Sequence, residues 1–101
     1  DSCEIYRNDA FRAIKAASKR GKQFDYVFLD PPYGKIPFDK LLQALHEANL
    51  LKQDALVICE HDQAERMPEG STYFSKMNES AKTSLTTITF YRYSNRGNEH
   101  G

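Results

Sequence analysis

The sequence predicts an α/β fold: a mostly parallel sheet followed by an antiparallel strand pair. Three observations carry this. Between Cys3 and Glu60, apolar runs alternate with segments of helical spacing. Such alternation implies right-handed crossovers and parallel pairing. The runs Phe24–Asp30 and Ala55–Glu60 are nearly continuous in apolar residues, the pattern of strands covered on both faces. Beyond them, "TYFSKMNE" and "SLTTITFYRY" alternate and are rich in β-branched and aromatic residues, which reads as two antiparallel strands.

Taken in order, Cys3–Asp9 alternates weakly and reads as a short strand. In "DAFRAIKAASKRG", Phe11, Ile14 and Ala17 share one helical face. Asp9 can cap that helix and Gly21 can end it. Phe24–Asp30 is the second strand. "FDKLLQALHEANLL" is a second helix, with Asp39 as a candidate N-cap and Leu41, Leu42, Leu45 and Ala48 as its buried stripe. Ala55–Glu60 is the third strand. "HDQAERMPEGS" is polar and turn-rich, and the strand pair follows. Residues 95–101 have no apolar anchor and are expected to form a loose tail.

The composition bounds the function. With 101 residues and 40% apolar content the chain suits one modest domain. Lys and Arg number 14, as do Asp and Glu, so the formal net charge is zero. Contact with nucleic acid would therefore need a local basic patch. Arg12, Lys15, Lys19, Arg20 and Lys22 cluster without an acid among them, although a solvated helix face explains them more simply. Lys76, Lys82, Arg92 and Arg96 give the last strands a mild positive bias. Cys3 and Cys59 form no CxxC pair, which favours reduced thiols in a cytoplasmic protein. His46 and His61 lack metal-ligand spacing with the cysteines, so no metal is expected, and His61 reads as a polar rim residue. No apolar stretch reaches membrane-spanning length.

Asp9, Asp30 and Glu60 each end a predicted parallel strand, where such sheets bind ligands. Helix capping explains Asp9 equally well, and Glu60 less well. Asp30-Pro31-Pro32-Tyr33 is harder to explain by capping. Two prolines fix two successive φ angles, and Pro31 turns Asp30 away from helix. Neither proline has an N–H, so the carbonyls of Asp30 and Pro31 stay free to accept. A carboxylate beside free carbonyls suits an NH2 guest, and Tyr33 adds a flat face for a ring. Together they suit the exocyclic amine of a nucleobase.

At these residues the chain resembles a known family. Asp30-Pro31-Pro32-Tyr33 matches the signature of S-adenosylmethionine-dependent methyltransferases acting on exocyclic amines. "NDA" before a helix, "FDYVFLDPPY", "LVICEHD" and the closing "AKTSLTTITFYRY" together resemble the RsmD family, bacterial small-subunit ribosomal RNA guanine-N2 methyltransferases. The resemblance implies a Rossmann-like class I methyltransferase fold. It also implies S-adenosylmethionine as cofactor and ribosomal RNA or the small ribosomal subunit as partner. Asp30, Pro31, Pro32 and Tyr33 would hold the target amine and base. Asp9 would accept from the cofactor's adenine amine, with Ala10 contributing backbone. Related motifs occur in DNA or RNA adenine-N6 enzymes and in protein glutamine enzymes, often with Asn in place of the acid, so those targets stay open.

The family's glycine-rich cofactor loop and its ribose-binding acid are not found in the chain. Residues 1–101 are thus expected to form the C-terminal part of the domain, catalytically silent alone, with a purely associative fragment as the other reading. The resemblance sets two strands between Cys3–Asp9 and Phe24–Asp30. Without them, either these two strands pair directly or two chains pair through bare edges; the homodimer is the favoured expectation.

Overall fold

The computed structural model describes residues 3–6, 10–30 and 37–95. Its elements are β1 (Cys3–Tyr6), α1 (Ala10–Lys19), β2 (Phe24–Leu29), α2 (Phe38–Glu47), β3 (Leu51–Asp62), β4 (Phe74–Ala81) and β5 (Thr86–Tyr93). They build one five-stranded sheet in the order β1-β2-β3-β5-β4. β1, β2 and β3 run parallel, and β5 and β4 join antiparallel, as the alternation of elements predicts.

The direct pairing of β1 with β2, Cys3 opposite Tyr26 through Tyr6 opposite Leu29, is the first of the two arrangements open to the sequence. In this chain β1 supplies the neighbour that β2 would otherwise lack. Pairing satisfies the backbone groups an apolar edge would leave bare, so no second chain is needed for that purpose.

One face of the sheet carries the core. Val27 and Leu29 of β2, Val57 and Cys59 of β3 and Tyr91 of β5 are buried there with Leu41, Leu42 and Leu45 of α2. Each fully buried apolar side chain contributes roughly 1.5–3 kcal/mol. The opposite face is more open: Phe28 and Ile58 are half-buried and Tyr26 is 39% exposed. Double coverage of β2, expected from its composition, is thus not what the described residues show, since α2 packs on one face.

Several boundaries differ from expectation for local reasons. Phe11 is 41% exposed while Ile14 and Ala17 are buried; it lies in the first turn of α1, before the buried part of that helix. Gly21, with φ +68°, closes α1 as expected, next to a bond from its N–H to the Ser18 carbonyl. The N-cap of α2 is Pro37, not Asp39, and no side chain caps it; Asp39 sits within the first turn, where its charge still suits the helix dipole. α2 stops at Glu47, because Asn49 takes a left-handed φ of 58° and returns the chain to the sheet at Leu50. β3 runs from Leu51 to Asp62, longer than expected at both ends, with an irregularity against β2 and a left-handed φ of 69° at Asp54.

The end of the fold away from the strands' carboxyl ends is fastened by polar contacts. The Ser18 hydroxyl donates to the Ala48 carbonyl at 3.2 Å, tying α1 to α2. His46 stacks on Tyr73, with ring centroids 3.7 Å apart, and its Nδ1 lies 2.8 Å from the Tyr93 hydroxyl. The segment after β3 is not simply a polar loop: Met67 is buried, and Pro68 accepts a hydrogen bond from the Tyr91 hydroxyl.

Candidate active site

The carboxyl ends of β1 and β2 lie level, since Tyr6 pairs with Leu29, and β3 runs three residues past that level, from Cys59 opposite Leu29 to Asp62. Asp30 therefore leaves the sheet one residue past this level, and it is half-buried. Of the predicted site residues, Asp30 and Ala10 lie within the described part; Asp9, Pro31, Pro32 and Tyr33 lie outside the described residues. Ala10 opens α1. The amides of a helix's first turn have no partner inside the helix.

Glu60 is not the end of its strand, as the shorter prediction had it, because β3 continues to Asp62. Its carboxylate pairs with Lys82 at 3.1 Å, with side-chain exposures of 20% and 50%. A pair so open to water is worth about 1 kcal/mol or less. Its consequence is positional: the β4–β5 turn is held above the rim beside Asp30. Glu60 is thereby occupied in holding that turn.

His61 is buried, not a rim residue. Its Nδ1 lies 2.9 Å from the Asp62 carbonyl and its Nε2 2.7 Å from the Thr89 hydroxyl. A carbonyl only accepts, so Nδ1 carries the proton, and in the neutral ring Nε2 accepts from Thr89. The ring meets Phe38 edge-on, with centroids 6.0 Å apart. His61 thus supports the first residue of α2, which follows the Asp30–Pro37 segment. The signal for its burial was present: His61 continues the alternate positions Val57 and Cys59.

A cavity of about 520 Å³ opens between the start of α2 and the segment after β3, lined by Pro37, Phe38, Glu65, Arg66, Met67 and Pro68 among others. It lies at the same rim, since α2 starts beyond the end of β2 and residues 63–71 follow the end of β3. Its volume is in the range of small-ligand sites. The sequence hid this wall, because Met67 sits in an otherwise polar stretch.

The basic residues of the last strands are largely committed. Lys76 pairs with Glu79 at 3.0 Å and Glu69 at 3.8 Å, and Arg92 donates to the Asp54 carbonyl at 3.0 Å. Arg96 lies outside the described residues. Lys15, Lys19 and Lys22 are exposed, as in a solvated helix face. Burial pushes the Cys59 thiol well above its usual range, with the Glu65 carboxylate adding to it, so Cys59 is an inert core residue. Among the described residues, no helix is long and apolar enough to cross a membrane.

A parallel sheet, an acid leading off a central strand and an antiparallel closing pair make up part of a class I methyltransferase fold. The sequence profile of the family described as "Conserved hypothetical protein 95" matches residues 1–92. The chain belongs to this family, the RsmD family that its motifs resemble. The Bacillus subtilis protein named "Putative rRNA methyltransferase YlbH" is 42% identical over 66 residues, covering 65% of this chain and 36% of that protein. A solved structure described as a conserved hypothetical protein of Streptococcus pyogenes is 31% identical with a TM-score of 0.72, over 82% of this chain and 49% of that one. A Haemophilus influenzae structure titled "putative methylase" is 23% identical with a TM-score of 0.68, over 84% of this chain and 47% of that one. The chain thus spans half or less of the length of these relatives.

Proposed function

We infer that the full-length protein is an S-adenosylmethionine-dependent methyltransferase that modifies the exocyclic N2 amine of a guanine in small-subunit ribosomal RNA. The observation that carries this reading is Asp30, half-buried at the carboxyl end of β2 and followed by Pro31-Pro32-Tyr33. Family membership supports it, and so does the ribosomal RNA named for the Bacillus relative.

The chemistry of the donor set fits the cofactor. Asp9 accepts from the adenine amine, and the Ala10 backbone, at the N-terminus of α1, donates to a ring nitrogen. When bound, the cofactor supplies an electrophilic methyl group on a positive sulfur. The amine of guanine is a poor nucleophile because its lone pair is delocalised into the base. Asp30 and the Pro31 carbonyl hold the two amine hydrogens and turn the lone pair toward its target. The Asp30 carboxylate also stabilises positive charge developing on nitrogen. This is orientation and preorganised electrostatics more than proton abstraction; as the N–C bond forms the S–C bond breaks to leave a neutral thioether, and the proton that nitrogen then sheds passes to Asp30 or to water. Pro31 and Pro32 keep the acceptors rigid, and Tyr33 stacks on a base turned out of its helix.

Incubation of the full-length protein with labelled cofactor and unmodified small-subunit RNA or particles tests the reading. Nucleoside analysis is expected to find the label in N2-methylguanosine at one site. Label in N6-methyladenosine would replace the guanine reading with an adenine one, and absence of label from RNA would overturn it.

A further inference from the structure

We propose that the β4–β5 turn is an RNA-contacting wedge, with Leu85 entering the base stack beside the turned-out nucleotide. This rests on the assignment of RNA as substrate and adds a part of the protein to which no role has been given.

Leu85 is 73% exposed. A single exposed leucine is ordinary on a protein surface; here the backbone that carries it is fixed and the direction it faces matters. The Thr83 hydroxyl accepts from the N–H of Leu85 at 3.1 Å and from that of Thr86 at 3.0 Å. The Thr86 carbonyl accepts from Lys82 and Thr83 at 2.9 and 3.2 Å. The Leu85 carbonyl accepts from Gln63 at 2.7 Å, tying the turn to the segment leaving β3. A turn held this firmly presents an apolar side chain to water without contributing it to the core. A connection needing only to be soluble would favour Gly, Asn or Asp at its tip.

Register gives the turn its position. Asp62 pairs with Thr86 across β3 and β5, so the turn stands beyond the carboxyl end of β3. The Lys82–Glu60 bond of 3.1 Å ties it back to the residue of β3 that is level with Asp30, two residues short of Asp62. Two strand spacings separate β2 from β5, about 10 Å sideways, which is the reach of neighbouring nucleotides. The chemistry of the turn favours RNA over a protein surface. From Ser80 to Phe90 there is no acid; Thr83 and Ser84 are exposed donors beside Leu85, and Lys82, half-exposed, shares its ammonium with Glu60 of β3. Apolar side chains inserted at a base step, flanked by phosphate-binding donors, are a general means of holding a helix open. Methylation of a base edge needs the nucleotide out of its stack, and a wedge beside the site would fill the gap.

Two RNA hairpins cut from around the mapped guanine test this, one with the guanine paired and one with it unpaired. Wild type and Leu85→Ala full-length protein are compared on both, with thermal melting to confirm folding and cofactor titration as a control. Leu85→Ala is expected to lower kcat/KM about tenfold or more on the paired RNA, as loss of support for an unstacked step implies. On the unpaired RNA the loss should stay below about threefold, with cofactor affinity unchanged. Equal losses on the two RNAs, or no loss on either, would overturn the wedge while leaving the assigned reaction intact. Wild type inactive on both hairpins would overturn the reaction and the wedge together.

Discussion

The Nε2 of His61 and the hydroxyl of Thr89 lie 2.7 Å apart in the core between β3 and β5, with Thr89 fully buried. His61→Ala removes the ring that supports Phe38 and leaves the Thr89 hydroxyl unpaired, which costs about 1–3 kcal/mol on its own. Thr89→Val does the same to Nε2. The double variant His61→Ala/Thr89→Val should lose clearly less than the sum of the two single variants, since neither polar group is then stranded. Urea unfolding measures all of these. Additive losses would mean that the two groups do not act as a pair.

Stability should also fall in alkali, and the sign follows from burial. The Cys59 thiol is pushed above its ordinary range, and the Tyr91 and Tyr93 hydroxyls are shifted the same way, chiefly by burial. The unfolded chain releases the thiol proton near pH 8.5 while the folded chain keeps it, so folding binds more protons and stability drops as pH rises. The loss begins around pH 8.5, at up to about 1.4 kcal/mol per pH unit from Cys59. It steepens near pH 10 as the unfolded phenols ionise. Cys59→Ala should flatten the first part of the curve. Denaturant melts between pH 7 and 10.5 check it, and a wild-type curve flat to pH 10 would contradict it.

Tyr33 separates stacking from hydrogen bonding. Stacking needs the ring, and base–aromatic stacking is worth roughly 1–3 kcal/mol. Tyr33→Phe should therefore be mild and Tyr33→Ala severe in kcat/KM on ribosomal RNA. Equal damage from Phe and Ala would replace stacking with a hydroxyl contact.

How much of this was legible in the sequence depended on range. Alternation of apolar strands with helical spacing is a local signal, and it led to the parallel β1–β3 order, the buried stripe of α2 and the closing pair. What it missed depends on contacts distant in sequence. The polarity of "HDQAERMPEGS" concealed His61, whose partner Thr89 comes from β5, and Met67, whose place is in the core. Asp39 looked like a cap by residue type, yet the chain enters α2 through Pro37, whose fixed φ already suits a helix start. Glu60 looked like a site acid because its partner Lys82 lies 22 residues away. Asp30 was legible because its signal, an acid before two prolines, is contiguous. Its neighbours Pro31, Pro32 and Tyr33 lie outside the described residues, so their roles rest on the motif.

The central claim is that Asp30 holds and orients the amine that receives the methyl group. Its most direct test is the single-turnover methylation rate of full-length Asp30→Ala on small-subunit RNA, with cofactor affinity measured alongside. An interaction strongest in the transition state should cost rate far more than binding. A loss of about a hundredfold or more is expected, with cofactor affinity essentially unchanged. A variant that transfers methyl within about twofold of the wild-type rate would contradict the claim.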